Sequence, residues 1–142
     1  MSLLLNSTKI INEWTDYNNH MNLSFYILVF DKAAEKILSQ FKMGEEAAKK
    51  AKRSTMVVET HTTYNNEVKE GEDVEVFLSY FNHDKKRLHY KLEMYEKSKN
   101  ILSATTEVLA LYINLDLRKV AEFENEKVLI MDKFIEENNQ KF

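Results

Sequence analysis

From residue 22 to residue 41, Leu23, Ile27, Phe30, Ala34, Ile37 and Phe41 recur at spacings of four and three, while Asp31, Lys32, Glu35 and Lys36 take the other side. That period predicts one long helix. Its first half, "FYILVF", is apolar all round and its second half is one-sided. The helix is therefore expected to be buried deeply at its start, with some other part of the chain wrapped around it. Gly44 is a stop signal, and "EEAAKKAKR" after it reads as a short solvated helical segment.

Downstream the period changes to two. "RSTMVVETHTTYNNEV" is rich in β-branched residues, and the turn "KEGED" leads to "VEVFLSYF". The turn "NHDKK" leads to "RLHYKLEMYE", where Leu88, Tyr90, Leu92 and Met94 alternate with polar neighbours, and "KSKN" leads to "ILSATTEVLALYINL". With a first strand near "TKIINEW", the pattern predicts an antiparallel meander of about five strands. Val128, Met131 and Phe134 or Ile135 then fall at helical spacing, before a polar tail expected to fray. The expectation is one α+β domain over 1–142, with a curled sheet wrapped around a long central helix in the manner of a hotdog fold, plus a C-terminal helix. Such a sheet leaves an edge unpaired, which favours a homodimer.

Composition narrows the chemistry. At 142 residues, 44% hydrophobic and 11% aromatic, the chain supports a packed core. A net charge of -3 gives no general attraction to nucleic acid. Without cysteine there is no disulfide framework, thiolate metal site or thiol nucleophile. The apolar run in "MSLLLNSTK" is short for a signal peptide and no segment has the length of a membrane span, so a cytoplasmic location is the default expectation. With no proline and only two glycines, the left-handed turn positions are expected at Asn18 and Asn19, Asn65 and Asn66, and Asn100.

The polar cluster Asp16, Asn18, Asn19, His20 and Asn22 stands at the mouth of the predicted helix. Free N–H groups and the helix dipole there favour negative charge developing on a carbonyl oxygen, and Asp16 beside them suits attack on a carbonyl or activation of water. The alternative is that Asp16, Asn18 or Asn22 caps the helix. A triad of Asp16, His20 and Ser24 fails because a loop-to-helix boundary interrupts the common face that the spacing requires. Asp16, His20, His61 and His89 include no histidine pair with the spacing of a metal site on a helix, so no metal is expected. Lys49, Lys50, Lys52 and Arg53 form one basic cluster and Lys85, Lys86 and Arg87 another; each is either solvated surface or a phosphate site. Glu59, His61 and Glu107 interrupt β-branched or apolar strands and either line a pocket or face solvent.

"WTDYNNHMNLSFYILVFDKA" resembles the signature of hotdog-fold acyl-CoA thioesterases of the 4-hydroxybenzoyl-CoA thioesterase-like group, in which an aspartate precedes a glycine by three residues and an H-[VM]-N step leads into the central helix. "VVETHTTYNNEVKEGEDVEV", "HDKKRLHY" and "ATTEVLALYINLDLRKVAEF" are similar to the betainyl-CoA thioesterase branch of that group, linked to carnitine breakdown. The resemblance implies hydrolysis of an acyl-CoA with a short or polar acyl group, coenzyme A being part of substrate and product, and no further cofactor. It places Asp16 as the catalytic carboxylate, the Leu23 amide as the carbonyl-polarising donor, and His20 and Asn22 in the loop that shapes the site. Tyr17, Asn18, Tyr26, Glu59, Thr60 and His61 are expected to bind substrate, with Lys85, Lys86 and Arg87 on the coenzyme A phosphates. It also implies a homodimer or tetramer with sites at subunit interfaces. A module that binds acyl thioesters without catalysis, or an enzyme acting on an acyl-carrier protein, is the competing reading. For a quaternary ammonium substrate, Trp14, Tyr17, Phe25, Tyr26 and Tyr64 are the aromatic candidates. Asn19 stands where the family has glycine, and Glu124 where it often has proline.

Overall fold

The computed structural model describes residues 2–138. The chain begins with β1 (Leu3–Lys9), a 3-10 turn at Asn12–Trp14, and the long helix α1 (Leu23–Gln40). The short α2 (Glu45–Ala51) and β2 (Arg53–Tyr64) follow, then β3 (Asp73–His83), β4 (Arg87–Glu96), β5 (Ile101–Asn114), the two-residue β6 (Lys119–Val120) and α3 (Asn125–Glu137). The sheet is antiparallel throughout, in the order β1-β3-β4-β5-β2, with β6 paired to the end of β5. It curls around α1 as a hotdog fold, with α3 at one end.

Alternation along β3, β4 and β5 sends Val74, Val76, Leu78, Leu88, Tyr90, Leu92, Met94, Ala104, Val108 and Ala110 to the face that meets α1. From α1 come Tyr26, Val29, Phe30, Ala33, Ala34 and Ile37. The core closes at the helix C-terminus, where Phe41 lies 4.9 Å from Phe81 and 5.1 Å from Phe134 between ring centroids. Among the described residues no helix is long and apolar enough to cross a membrane.

The sequence-derived picture needs five corrections. The first strand lies earlier than "TKIINEW", because residues 12–14 turn while Thr8 and Lys9 pair with Val74 and Asp73. The strands are not a simple meander: β2 pairs with β5 and not with β3. Residues 65–72 carry the chain from β2 at one edge of the sheet across to β3, which lies beside the other edge strand β1, held by the Asn65 and Asn66 amides on the Ser103 carbonyl and the Gly71 amide on the Ile10 carbonyl. The start of α1 is not wrapped on all sides; Leu23 is 62% exposed and Ile27 41%, because β2 ends the sheet on that side. Left-handed backbone occurs at Asn19 and Asn100 as expected, but also at Lys42, Lys52 and Arg118 and not at Asn18, Asn65 or Asn66. Finally, the segment before the C-terminal helix contributes β6. The tail expected to fray at 139–142 lies outside the described residues.

Candidate functional site

Residues 14 to 22 form a miniature hairpin at the N-terminus of α1. The Asn22 amide donates to the Trp14 carbonyl at 2.8 Å, and Thr15 and Met21 make a β-bridge. Inside it the Asp16 amide donates to the His20 carbonyl, and the Asn19 amide returns a bond to the Asp16 carbonyl, each at 3.0 Å. The turn requires φ of 66° at Asn19, a conformation that asparagine tolerates better than other residues with a Cβ. The hairpin is tied to the 65–72 crossover by the Met21 amide on the Val68 carbonyl (2.7 Å) and by His20 Nε2 on Glu67 Oε2 (2.7 Å).

The helix cap belongs to Asn22, whose Oδ1 accepts the Ser24 amide at 3.0 Å. Asp16 is thereby free of capping. Its Oδ1 accepts the Asn18 amide at 2.9 Å, while Oδ2 has no donor among the described residues. The Leu23 N–H, first in the helix, likewise has no acceptor among the described residues. The site thus offers a half-buried carboxylate and an unengaged amide at a positive helix terminus. His20 is turned to Glu67, so no relay runs from Asp16 through His20 to Ser24.

The other predicted residues scatter. Tyr17 is 94% exposed at the hairpin tip, with Asn18 exposed beside it. Tyr26 is a core residue: its hydroxyl donates to the Asn66 carbonyl at 3.4 Å, its ring meets Tyr64 edge-on at 5.2 Å, and burial pushes its phenol pKa up. Trp14 stacks on Phe25 at 5.9 Å and carries Lys32 Nζ 5.5 Å from its ring centroid. Strand alternation divides Glu59, Thr60 and His61. Thr60 joins the α1 side of the sheet, whereas Glu59 and His61 line a groove of about 470 Å³ on the opposite face. Glu107 lies in that groove, accepting from His89 Nε2 at 2.6 Å, and His83 is engaged separately with Asp132 at 2.6 Å.

Lys85, Lys86 and Arg87 sit in the β3–β4 turn, at the opposite end of β4 from the hairpin; a ten-residue strand separates the two ends by about 30 Å. Within one chain this placement argues against their joining the hairpin in holding one ligand. Arg87 is also committed, its Nε donating to Asp84 Oδ2 at 2.6 Å. The first basic cluster comes to the same end, since the Lys52 carbonyl accepts the Leu115 amide and the Lys86 carbonyl the Tyr112 amide. Lys49 and Lys50 there pair with Glu45 and Glu46 of their own helix.

Sequence reading missed a cleft of about 420 Å³ between α1 and the β2 side of the sheet. Its helical wall includes Ser24, Ile27, Leu28 and Asp31, and its sheet wall includes Val57, Thr60, Tyr90 and Val108. The signal was present in the spacing of those four helical residues, which share one face. The cleft starts one residue beyond Leu23 and runs along the helix.

Comparison with known proteins bears on the family and the fold. Residues 12–134 match the family model described as "Thioesterase-like superfamily". A betainyl-CoA thioesterase of Pseudomonas aeruginosa is 34% identical over 119 residues, covering 84% of this chain and 75% of that protein. An L-carnitine dehydrogenase/betainyl-CoA thioesterase of Rhizobium meliloti is 29% identical over 112 residues, and there the match spans 22% of the longer protein. Among solved structures, a hypothetical protein of Staphylococcus aureus in complex with CoA superposes with a TM-score of 0.87 at 23% identity, covering 96% of this chain and 86% of that one. A DHNA-CoA thioesterase of the same organism gives 0.86 at 18% identity, covering 98% and 94%.

Proposed function

The chain belongs to the thioesterase-like superfamily, and from that premise we propose that it hydrolyses a coenzyme A thioester of a short, polar acyl group, of the kind named for its betainyl-CoA relatives, at the N-terminus of α1. The observation that carries this reading is the division of labour at that terminus: Asn22 caps, leaving the Asp16 carboxylate and the Leu23 amide for chemistry. The substrate carbonyl oxygen accepts from the Leu23 N–H, where the helix terminus stabilises the oxyanion. Asp16 either attacks the carbonyl carbon, forming an anhydride that water then opens, or removes a proton from the attacking water. In both routes the carbon–sulfur bond breaks and coenzyme A leaves as the thiol. The cleft along α1 receives the acyl group.

The functional unit in this reading is a homodimer joined along β2. That strand is an open sheet edge with Val57 53% and Val58 54% exposed, next to the uncovered Leu23 and Ile27. Pairing two such edges antiparallel turns the partner's basic turn toward the end of the sheet that holds the hairpin, which is where residues 85–87 would meet coenzyme A phosphates.

Thiol release from betainyl-, short-chain, medium-chain and aromatic acyl-CoA esters, by the parent and by Asp16→Asn, tests the reading. Release that falls at least about a hundredfold in a folded Asp16→Asn supports it. Full turnover by the variant removes Asp16 from the mechanism. No release by the parent, with acyl-CoA still bound, transfers the assignment to a binding module.

A further inference from the structure

The links between the hairpin tip and the 65–72 crossover converge on His20 and Met21. The Met21 amide bonds the Val68 carbonyl, His20 and Lys69 form a single β-bridge, and His20 Nε2 meets Glu67 Oε2 at 2.7 Å. An ionised carboxylate can only accept, so Nε2 carries the hydrogen in that bond. The hydrogen bonds of the Asp16, Asn18 and Asn19 amides stay inside the turn, and Tyr17 at its tip is 94% exposed. Among the described residues, the His20 ring is thus the only side chain of 16–20 hydrogen-bonded from outside the hairpin.

Glu67 is a fixed point. On one side of it, the Asn66 amide bonds the Ser103 carbonyl, Asn66 Nδ2 bonds the Leu102 carbonyl at 2.7 Å, and the Tyr26 hydroxyl reaches the Asn66 carbonyl at 3.4 Å. On the other side Val68 is wholly buried. The carboxylate is divided between two partners, Oε1 facing Lys69 Nζ at 3.8 Å and Oε2 taking the ring. The backbone of Glu67 cannot shift without disturbing the core, whereas a tip joined by one rung can twist about it.

His20 also closes the Asp16 turn, because its carbonyl accepts the Asp16 amide at 3.0 Å. Holding the ring restrains that carbonyl, and the carbonyl restrains the backbone from which the Asp16 carboxylate projects. The ring bond lies in solvent, with side-chain exposures of 39% for His20 and 51% for Glu67, so it adds little to global stability. Its effect is local. A displacement of about 1 Å in a reacting group is enough to slow chemistry by about a hundredfold.

We propose that Glu67, acting through His20, is a positioning residue that aims the Asp16 carboxylate at the carbonyl bound by Leu23. The proposal rests on the reading of Asp16 as the catalytic carboxylate.

The test compares the parent with Glu67→Ala, Glu67→Gln and Glu70→Ala. Thiol release gives kcat and KM on the acyl-CoA ester that the parent turns over fastest, and amide hydrogen exchange is followed by NMR. Glu70 is the control, since it carries the same charge in the same crossover but bonds Asn12. In Glu67→Ala, kcat is expected to fall about tenfold with KM within about threefold of the parent. The Asp16 and Asn18 amides should exchange about tenfold faster while those of β4 exchange as before. The unfolding midpoint should stay within about 3 °C. Glu67→Gln keeps an acceptor for the His20 N–H, so kcat and exchange should return to within about threefold of the parent. Glu70→Ala should match the parent.

Unchanged exchange at Asp16, faster exchange with unchanged kcat, an increase that spreads through β4, or no recovery in Glu67→Gln overturns the proposal while leaving thioester hydrolysis in place. An equal loss in Glu70→Ala does the same, since it makes the effect one of charge alone. Absence of turnover by the parent on every ester overturns the hydrolytic reading. Exchange at Asp16 and Asn18 then decides by itself whether Glu67 fixes the turn.

Discussion

The backbones of Asp16 and His20 are joined by a 3.0 Å hydrogen bond across a three-residue turn, while their side chains part company, His20 to Glu67 and Asp16 to the Asn18 amide. Within the hairpin the carboxylate is positioned by the turn alone, and the turn depends on Asn19 at φ of 66°. Asn19→Ala is expected to cost about 1 kcal/mol in stability, because a Cβ other than that of asparagine or aspartate is disfavoured there. Asn19→Gly restores freedom and stays within a few tenths of a kcal/mol of the parent. Thermal unfolding gives the stabilities, and thiol release shows whether kcat falls with the alanine variant and returns with glycine.

Val58 tests the assembly. It sits at the β2 bulge, opposite no β5 residue, and is solvent-facing. Val58→Lys places a charge on the edge proposed to pair with a second copy. Sedimentation velocity is expected to show a dimeric parent and a variant shifted to monomer, with thiol release reduced in step. A monomeric parent with full turnover contradicts an interfacial site.

The β3–β4 turn is organised by Asp84, which accepts the Lys86 and Arg87 amides and Arg87 Nε. The Lys86 amide is the main cause of an Asp84 pKa held below the ordinary carboxylate value, with the Arg87 bonds adding to it against the effect of burial. A folded-state pKa below the unfolded one contributes stability above the unfolded value and loses it as pH falls through the folded value. Asp84→Asn should therefore lose about 1 kcal/mol at pH 7, a modest figure because the group is solvent-screened. The gap to the parent should close below about pH 4. Denaturant midpoints for both proteins at pH 7 and pH 3 measure this.

Tyr112, wholly buried, donates its hydroxyl to Glu124 Oε1 at 2.5 Å, and Lys127 Nζ reaches the same oxygen at 3.1 Å. Burial pushes the Glu124 pKa up, but these partners together outweigh it and leave the group below its ordinary value. Tyr112→Phe is expected to destabilise by about 1 to 3 kcal/mol, since it removes a hydrogen bond to a charged acceptor. Calorimetric unfolding reads the loss. Turnover should persist, because the hydroxyl removed bonds Glu124, which has no part in the proposed site, and the backbone pairing of Tyr112 is kept.

Glu124 stands where the resemblance leads one to expect proline. Glu124 has φ of -63°, the value proline would impose, and serves as the N-cap position of α3. The chain thus takes a path compatible with either residue, and the carboxylate adds the bond to Tyr112.

What the sequence by itself determined is what depends on neighbours along the chain. The 3.6-residue period between Leu23 and Phe41, the alternation from Leu88 to Met94, the turn at Asn100 and the polar cluster before α1 were all legible, because each rests on local spacing or on one residue's backbone preference. The cap was legible only as a choice among Asp16, Asn18 and Asn22, since all three can accept the same amide bond. Tertiary structure decided the rest. The sheet order decided which face of β2 meets α1, and so which side takes Thr60 and which takes Glu59 and His61; it also put the turn of Lys85, Lys86 and Arg87 at the end away from Asp16, and the end of the sheet at β2 left Asp31 facing a cleft. Those outcomes are contacts between distant segments, set by register and by which edge remains open, and residue spacing along one chain carries no measure of either.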